Sequence, residues 1–203
     1  MRTKKQLATV AGLLVAAVVG AACGLGGSAD GDGATLADSD TDTDNGAEQV
    51  DDSDDAPGTR QNPLAPGTAF EVGDWTVELA ATDTDADEIV AAENQFNDPP
   101  ADGRQFVMVE VTVTYTGDDS GDPWLDLSIN FNGSGGNTFG SSMDDYCGVI
   151  PDPLDEHGEM FPDATATGNV CASVPADQLD DGASWIVEDT WSVQSDRTFV
   201  AIG

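Results

Sequence analysis

Thiol and imidazole groups are scarce in this chain of 203 residues, which contains three cysteines and one histidine. His157 lies in a polar segment with prolines on both sides. A Ser-His-Asp arrangement needs a serine held beside the histidine, and the chain has no G-x-S-x-G nucleophile elbow. Adjacent aspartates are common in a chain this acidic, so they do not single out an acid–base pair. The sequence therefore predicts no catalytic residue and no enzymatic activity.

Cys147 and Cys171 are expected to form a disulfide. Both follow a predicted export signal (residues 1–22), and paired thiols are oxidised by default outside the cytoplasm. The loop-entropy model gives about 3–4 kcal/mol of stabilisation for a loop of this size. A metal thiolate site is the alternative, but His157 is the only histidine that is available as a further ligand. We therefore predict no metal site and no cofactor.

Acidic residues dominate the charge of the chain. All 39 of them follow Cys23, and after residue 22 the only bases are Arg60, Arg104 and Arg197. A surface this negative repels phosphate backbones, which argues against nucleic acid as a partner, but it attracts cations and basic partners. The excess of aspartate over glutamate and the near absence of lysine favour a halophilic protein.

One run of aspartates has the spacing of a calcium loop. Asp40, Asp42 and Asp44 follow the D-x-D-x-D pattern. Asn45 stands where that loop needs glycine, and Asp51 stands where it needs the bidentate glutamate. A solvated charge run is the better interpretation, and a cation-interacting acidic surface remains the alternative function.

The first 22 residues have the layout of a secretory signal peptide. Arg2, Lys4 and Lys5 precede an uncharged, mostly apolar run from residue 7 to residue 22. The small residues that end in Cys23 resemble a bacterial lipoprotein signal, and that resemblance implies lipidation of Cys23. Lipidation would also remove the odd thiol from the chain. Gly20 stands where such a signal usually has a leucine-like residue, so ordinary cleavage and secretion remain the alternative.

The expected location is the outer face of the cell membrane, with the membrane reached through a lipid anchor at Cys23. Two acyl chains bury enough methylene groups for stable attachment. Residues 23–62 consist almost entirely of small and acidic residues, without apolar periodicity. Such a segment cannot bury enough surface to fold, so we predict a disordered acidic linker.

Residues 63–203 show the alternation of short strands. The segment 104–117 alternates apolar residues over its whole length, and its first half is apolar on both faces. Shorter alternations occur at 75–79, 125–131, 170–174, 184–193 and 198–202, with one helical turn expected near 87–94 and a hairpin turn at Ser195 and Asp196. The fold class is therefore an all-β, antiparallel, immunoglobulin-like sandwich. We expect its tryptophans and phenylalanines to serve core and sheet packing rather than to form a ligand cage.

The segment "NQFNDPPADGR" is the best candidate for a ligand-binding loop. Its candidate residues are Asn94, Phe96 and Asn97, followed by Arg104, because long loops carry function more often than strands do. The competing interpretation is structural: Phe96 plugs the end of the sandwich, the asparagines cap turns and Arg104 forms a local ion pair.

Four segments carry a resemblance to a known family: "GDWTV", "NQFNDPPADGRQFVMVEVTVTYTG", "CGVIPDPL" and "ATGNVCASVP". They resemble an uncharacterised family of actinobacterial and other Gram-positive lipoproteins, which is similar to the mycobacterial immunoprotective secreted antigen with an immunoglobulin-like domain. The resemblance implies a lipid-anchored binding or interaction module whose partner is a protein, an envelope polymer or a small molecule. A secreted, non-anchored, antigen-like protein is the alternative. The resemblance supplies no catalytic residue.

Overall fold

The computed structural model describes residues 56–140, 142–192 and 197–203. The predicted signal peptide, Cys23, most of the predicted linker and the hairpin turn at Ser195 and Asp196 lie outside these ranges. Within them, no helix has the length and apolar character needed to cross a membrane.

Within the described ranges, eight strands form two four-stranded antiparallel sheets. One sheet has the order β1-β2-β3-β6 and the other the order β5-β4-β7-β8. The strands are β1 (Phe70–Val72), β2 (Trp75–Leu79), β3 (Arg104–Tyr115), β4 (Leu127–Asn132), β5 (Thr138–Phe139), β6 (Thr165–Pro175), β7 (Ser184–Asp189) and β8 (Arg197–Ala201). The helices are α1 (Asp87–Glu93) and α2 (Pro123–Asp126).

The topology is that of an immunoglobulin-like sandwich. Strands β2, β3 and β6 take the places of A, B and E, and β5, β4, β7 and β8 take the places of C′, C, F and G. In the described residues that connect β5 to β6, only two 3₁₀ turns replace strand D. The predicted all-β, antiparallel sandwich is confirmed.

The core lies between the sheets and is built around β3. Alternate residues of β3 point into it and are buried, as their spacing predicts: Val107, Val109, Val111, Val113 and Tyr115. Two edge-to-face aromatic pairs add to this core, with ring centroids 4.9 Å apart for Trp75–Tyr115 and 5.2 Å apart for Phe131–Trp185. Such pairs contribute about 0.5–1.5 kcal/mol beyond the area that they bury.

The first half of β3 is covered on its outer face as well. Phe106 and Met108 pack there against Ala86, Val90 of α1 and Cys147, in a second, smaller cluster. Further along the strand the same face carries glutamate and threonine, and it is open to solvent. The two-sided apolar pattern therefore predicted correctly that the start of β3 is covered twice, and α1 appears where the single helical turn was expected.

Two local predictions differ from the structure. Leu125 was assigned to a strand, but it lies in α2, because Asp122 and Pro123 begin a helical turn there. The Asp122 carboxylate accepts a hydrogen bond from the Trp124 amide at 3.0 Å, and proline suits the first helical position. Strand β1 was not predicted. It pairs with β2 across a two-residue turn that begins with Gly73, at φ 54°.

The sandwich begins before residue 63. Residues 56–62, assigned to the linker, are joined to β8: the Phe199 amide donates to the Gly58 carbonyl at 2.8 Å. The Leu64 amide donates to the Phe199 carbonyl, and the Ala201 amide donates to the Leu64 carbonyl, each at 2.8 Å. This segment covers the outer edge of β8, which would otherwise be an exposed sheet edge.

Candidate functional site

Two adjoining clefts lie beside β6 in the described part of the chain. The first, here called the β4 cleft, has a volume of about 380 Å³ and lies between α2, β4, the 3₁₀ turn Leu154–Glu156 and β6. The second, here called the Phe96 cleft, has a volume of about 440 Å³ and lies beside the predicted ligand loop. Residues 146–149 line both clefts and form the ridge between them. Volumes of this size suit small ligands or side chains of a larger partner.

The short length of β5 exposes the wall of the β4 cleft. Strand β5 has two residues and pairs only with Phe131 and Asn132 of β4. The earlier residues of β4 pair with β7 on one side only, and two of them, Leu127 and Ile129, line the cleft. A longer β5 would cover this edge, so the cleft exists because the second strand of the hairpin stops early.

The opposite wall of the β4 cleft packs against β6 at a glycine. A Cβ atom on Gly168 would lie 2.7 Å from Leu154 Cα, which is backbone and cannot move away cheaply. The Asn169 amide donates to the Asp152 carbonyl at 2.8 Å, and the Asn169 side chain donates to the Pro151 carbonyl at 2.8 Å. The 3₁₀ turn is therefore fixed against the outer edge of β6.

The ridge is fixed from both sides. Cys147 is joined to Cys171 of β6 by the predicted disulfide, with the sulfurs 2.03 Å apart. The Asn97 amide group donates to the Val149 carbonyl at 2.7 Å, and its oxygen accepts from the Val149 amide at 2.9 Å. Asn97 also donates to the Val90 carbonyl at 2.7 Å, so it joins the ridge to α1. A ridge held in this way loses little conformational entropy when a ligand binds.

Gly148 makes the Asn97 contact possible. Its φ of +89° lies in the left-handed region that favours glycine, and a Cβ atom there would lie 2.5 Å from the Asn97 side-chain oxygen.

Exposed apolar side chains concentrate at the clefts. Nine large apolar residues are exposed in the described part of the chain, and five of these line the two clefts. They are Phe96 at 81%, Met143 at 89%, Tyr146 at 66%, Trp124 at 65% and Val149 at 47% exposure. On a chain this acidic, such a group of exposed apolar side chains is an exception to a charged surface, and exposed apolar residues that gather in one region often mark binding sites.

The charges that line the clefts are all negative. The β4 cleft has Asp155 and Glu156 at its rim, and the Phe96 cleft has Asp98 and Asp144. All four carboxylates are exposed, and none of the residues that line either cleft is basic. The clefts therefore combine exposed apolar side chains with carboxylates, with the β4 cleft the more apolar of the two, and they offer no cation to an anionic ligand.

Arg104 is held in a local network. Its guanidinium forms an ion pair with Asp145 at 2.5 Å, and its Nε donates to Ser173 Oγ at 3.0 Å. It also donates to the Ser173 carbonyl and lies over the Phe139 ring, 5.6 Å from the centroid. Of the four candidate residues, Arg104 therefore lies behind the clefts and does not line them.

The Asp145 carboxylate accepts hydrogen bonds from several donors in the same network. Burial raises the pKa of its carboxyl group, but hydrogen bonds from Ser142 Oγ at 2.7 Å, from the Gly140 amide at 3.1 Å and from Arg104 outweigh burial. The net result is a pKa below the usual value for aspartate. The carboxylate is therefore a structural anion at neutral pH.

The other three candidate residues of the ligand loop separate into two roles. Asn94 accepts a hydrogen bond from the Phe96 amide at 3.0 Å, and Asn97 holds the ridge, so both asparagines support the loop, and both also line the Phe96 cleft. The alternative that Phe96 plugs the end of the sandwich is wrong, because its ring is exposed and lines a cleft. The expected packing role holds for Trp75 and Trp185, which are buried, but not for Trp124 and Trp191, which are exposed.

His157 takes no part in the clefts. Its ring is exposed, and its Nε2 lies 2.9 Å from the Thr167 carbonyl oxygen. In the described ranges no three histidine, cysteine or acidic side chains lie close enough together to hold a metal ion.

Sequence reasoning did not find the ridge or Trp124. Tyr146, Val149 and Met143 occur in a long connection between strands, beside a cysteine and among glycine and aspartate. Apolar residues in a long loop that has almost no regular structure are a usable signal, because such loops are often functional.

Comparison with known proteins gives structural likeness only. No family model matches the chain, and no curated protein matches it at a significant level. A conserved hypothetical protein from Bacillus anthracis is 14% identical, with 67% of this chain and 94% of that chain covered and a TM-score of 0.44. An uncharacterized beta-sandwich protein from Clostridium difficile 630 is 10% identical, with 70% and 95% covered and a TM-score of 0.45. The yjhA protein from Bacillus subtilis is 13% identical, with 68% and 98% covered and a TM-score of 0.42.

Proposed function

We propose that this chain is a lipid-anchored, extracytoplasmic binding module whose ligand occupies the β4 cleft and the Phe96 cleft. The observation that supports this function best is the concentration of exposed apolar side chains around the ridge formed by residues 146–149. Exposed Trp, Tyr, Phe and Met are the residues that most often anchor partners at interfaces.

The rigidity of the ridge supports the same function. The disulfide and the Asn97 contacts hold the ridge without using the exposed ring of Tyr146. A side chain that projects from a fixed backbone into two clefts is preorganised for binding, because little order remains to be imposed.

Replacing Tyr146 with alanine is expected to weaken ligand binding at least about tenfold, because an anchoring aromatic contributes more than about 1.4 kcal/mol. The measurement is a ¹H–¹⁵N NMR screen of the chain from residue 24 onward, with aromatic fragments in cationic, neutral and anionic forms. We expect shift changes to cluster on residues 146–149 and at Phe96.

The matched control is Phe161→Ala, because Phe161 is 60% exposed and lines neither cleft. This variant is expected to bind every fragment as the unmodified chain does. Shift changes scattered over the surface, or no binding by any charge class, would contradict the proposed function.

The proposed location is supported by the sequence of the first 23 residues. The basic start, the apolar run and the small residues before Cys23 support a lipoprotein signal, and the resemblance to Gram-positive lipoproteins supports the same anchor. The acidic segment after Cys23 would then act as a tether that holds the sandwich away from the membrane.

Cys23→Ala is expected to release the protein into the medium or to leave it unprocessed, because the site of lipid attachment is lost. Cell fractionation and labelling with a fatty acid measure this effect. Wild-type protein that takes up no fatty acid and is found in the medium would favour the secreted alternative.

A further inference from the structure

We propose that the ligand of the two clefts is a polypeptide segment in which lysine or arginine alternates with apolar side chains. The inference rests on the proposed function and adds the chemical class of the partner. Its basis is the combination, in both clefts, of exposed apolar side chains with rim carboxylates and no basic residue among the lining residues.

Charge complementarity selects a cationic partner. Residues 56–203 contain 28 of the acids and three arginines, and two of these arginines, Arg104 and Arg197, are engaged in ion pairs. An anionic ligand would meet four rim carboxylates with no compensating cation among the lining residues. A basic side chain gains attraction from the same carboxylates, and it can also lie over the exposed rings of Trp124 and Tyr146.

The same charge argument excludes two other candidate ligands of the clefts. The chain's own segment between residues 24 and 55 holds 11 acids and no base, so it is repelled by the cleft rims. A second copy of the sandwich has the same large negative charge and is repelled as well.

The arrangement of the clefts favours an extended partner. The two clefts share a single wall, the ridge of residues 146–149, so a ligand that crosses the ridge enters both. In an extended peptide, alternate side chains point the same way and lie roughly 7 Å apart. One face of such a segment offers apolar groups to the clefts. The basic residues start from the opposite face, and their long, flexible side chains bend back around the edge of the segment to the rim carboxylates.

The test compares three peptides of about ten residues, in which tyrosine alternates with lysine, glutamine or glutamate, each acetylated and amidated to remove the terminal charges. Isothermal titration calorimetry with the chain from residue 24 onward measures their affinities at about 0.15 M NaCl. We expect the lysine peptide to bind at least about tenfold more tightly than the glutamine peptide, and the glutamate peptide not to bind.

Variants separate binding at the clefts from general attraction to an acidic chain. Asp155→Asn combined with Glu156→Gln is expected to weaken binding of the lysine peptide by about threefold to tenfold. Asp180→Asn combined with Asp181→Asn removes the same charge from exposed residues that line neither cleft, and it is expected to leave the affinity within about twofold. Tyr146→Ala should weaken binding of both the lysine peptide and the glutamine peptide, and that of the lysine peptide more, because its cation also loses the contact with the ring.

Three results would overturn the inference. The first is an equal loss of affinity in the two charge variants, which would indicate non-specific attraction. The second is a glutamine peptide that binds as tightly as the lysine peptide. The third is binding of cellohexaose in place of the lysine peptide, with loss in Tyr146→Ala, which would identify a neutral glycan. The second and third results leave the proposed function intact. Absence of binding by every probe in the NMR screen would contradict both the proposed function and this inference.

Discussion

Arg104→Met is expected to lower the free energy of unfolding by about 3–5 kcal/mol, because it leaves the carboxylate of Asp145 buried without its ion-pair partner. The Asp145 side chain is 8% exposed, and that of Arg104 is 20% exposed. Methionine fills much of the same volume, so the loss measures the missing charge and hydrogen bonds more than a cavity. Urea denaturation of the chain from residue 24 onward measures the effect.

The second ion pair supplies the control. Arg197 contacts Glu188 at 2.7 Å, but its side chain is 54% exposed. Arg197→Met is therefore expected to cost no more than about 1 kcal/mol, since solvent screens an exposed pair. The double variant Arg104→Met with Asp145→Leu should recover much of the lost stability, because no buried charge is then left alone. Equal losses of unfolding free energy in the two single variants would show that burial does not increase the contribution of the Arg104–Asp145 ion pair to stability.

Acid titration of the same variants adds an independent check. The pKa of Asp145 is lowered in the folded state, so its contribution to stability is complete above the unfolded value of about 3.9 and is lost as the pH falls through the lower folded value. Arg104→Met removes one of the groups that lower this pKa. The stability difference between the unmodified chain and Arg104→Met should therefore narrow below about pH 4. A difference that stays constant to the lowest pH at which the chain folds would contradict this assignment.

The sandwich could be predicted because its strands carry their own pattern. In β3, alternate valines mark one buried face over the whole strand, and Phe106 with Met108 marks a second buried face at its start. Period-two alternation reflects only strand geometry, so it can be read without knowing the neighbours. The segment around Leu125 failed because Asp122 and Pro123 start a helix locally, which outweighs an alternation of three or four residues.

The clefts could not be predicted in the same way, because they depend on where elements stop. β5 ends after Phe139, Gly168 lets a 3₁₀ turn approach β6, and Asn97 reaches Val149 across a separation of 52 residues. None of these features produces a periodic pattern in the sequence. Exposure of an aromatic residue is equally invisible from composition: Trp185 is buried and Trp124 is exposed, although both lie among apolar residues.

The stability of the sandwich is expected to rise steeply with salt. Residues 56–203 hold 28 acidic side chains against three arginines, so the folded state brings many like charges together. Two unit charges roughly 8 Å apart repel by about 0.5 kcal/mol in water. About ten such pairs sum to roughly 5 kcal/mol, a large share of the marginal stability of a domain. The linker does not account for this charge, because only 11 of the 39 acids lie between residues 24 and 62.

The expected result is a melting temperature at least about 10 °C higher in about 1–2 M NaCl than in about 0.05 M NaCl. Screening causes the rise, because the Debye length falls from above 10 Å to about 3 Å, which is shorter than the distance between neighbouring surface carboxylates. Circular dichroism of the chain from residue 24 onward measures it, and KCl should give the same rise because screening does not depend on the ion. A flat melting temperature in both salts would reject self-repulsion as a major term. A rise that needs only millimolar calcium would instead indicate a specific cation site.

Asp180→Asn combined with Asp181→Asn should raise the melting temperature at low salt and reduce the dependence of the melting temperature on salt, because the double variant removes two of the repelling charges.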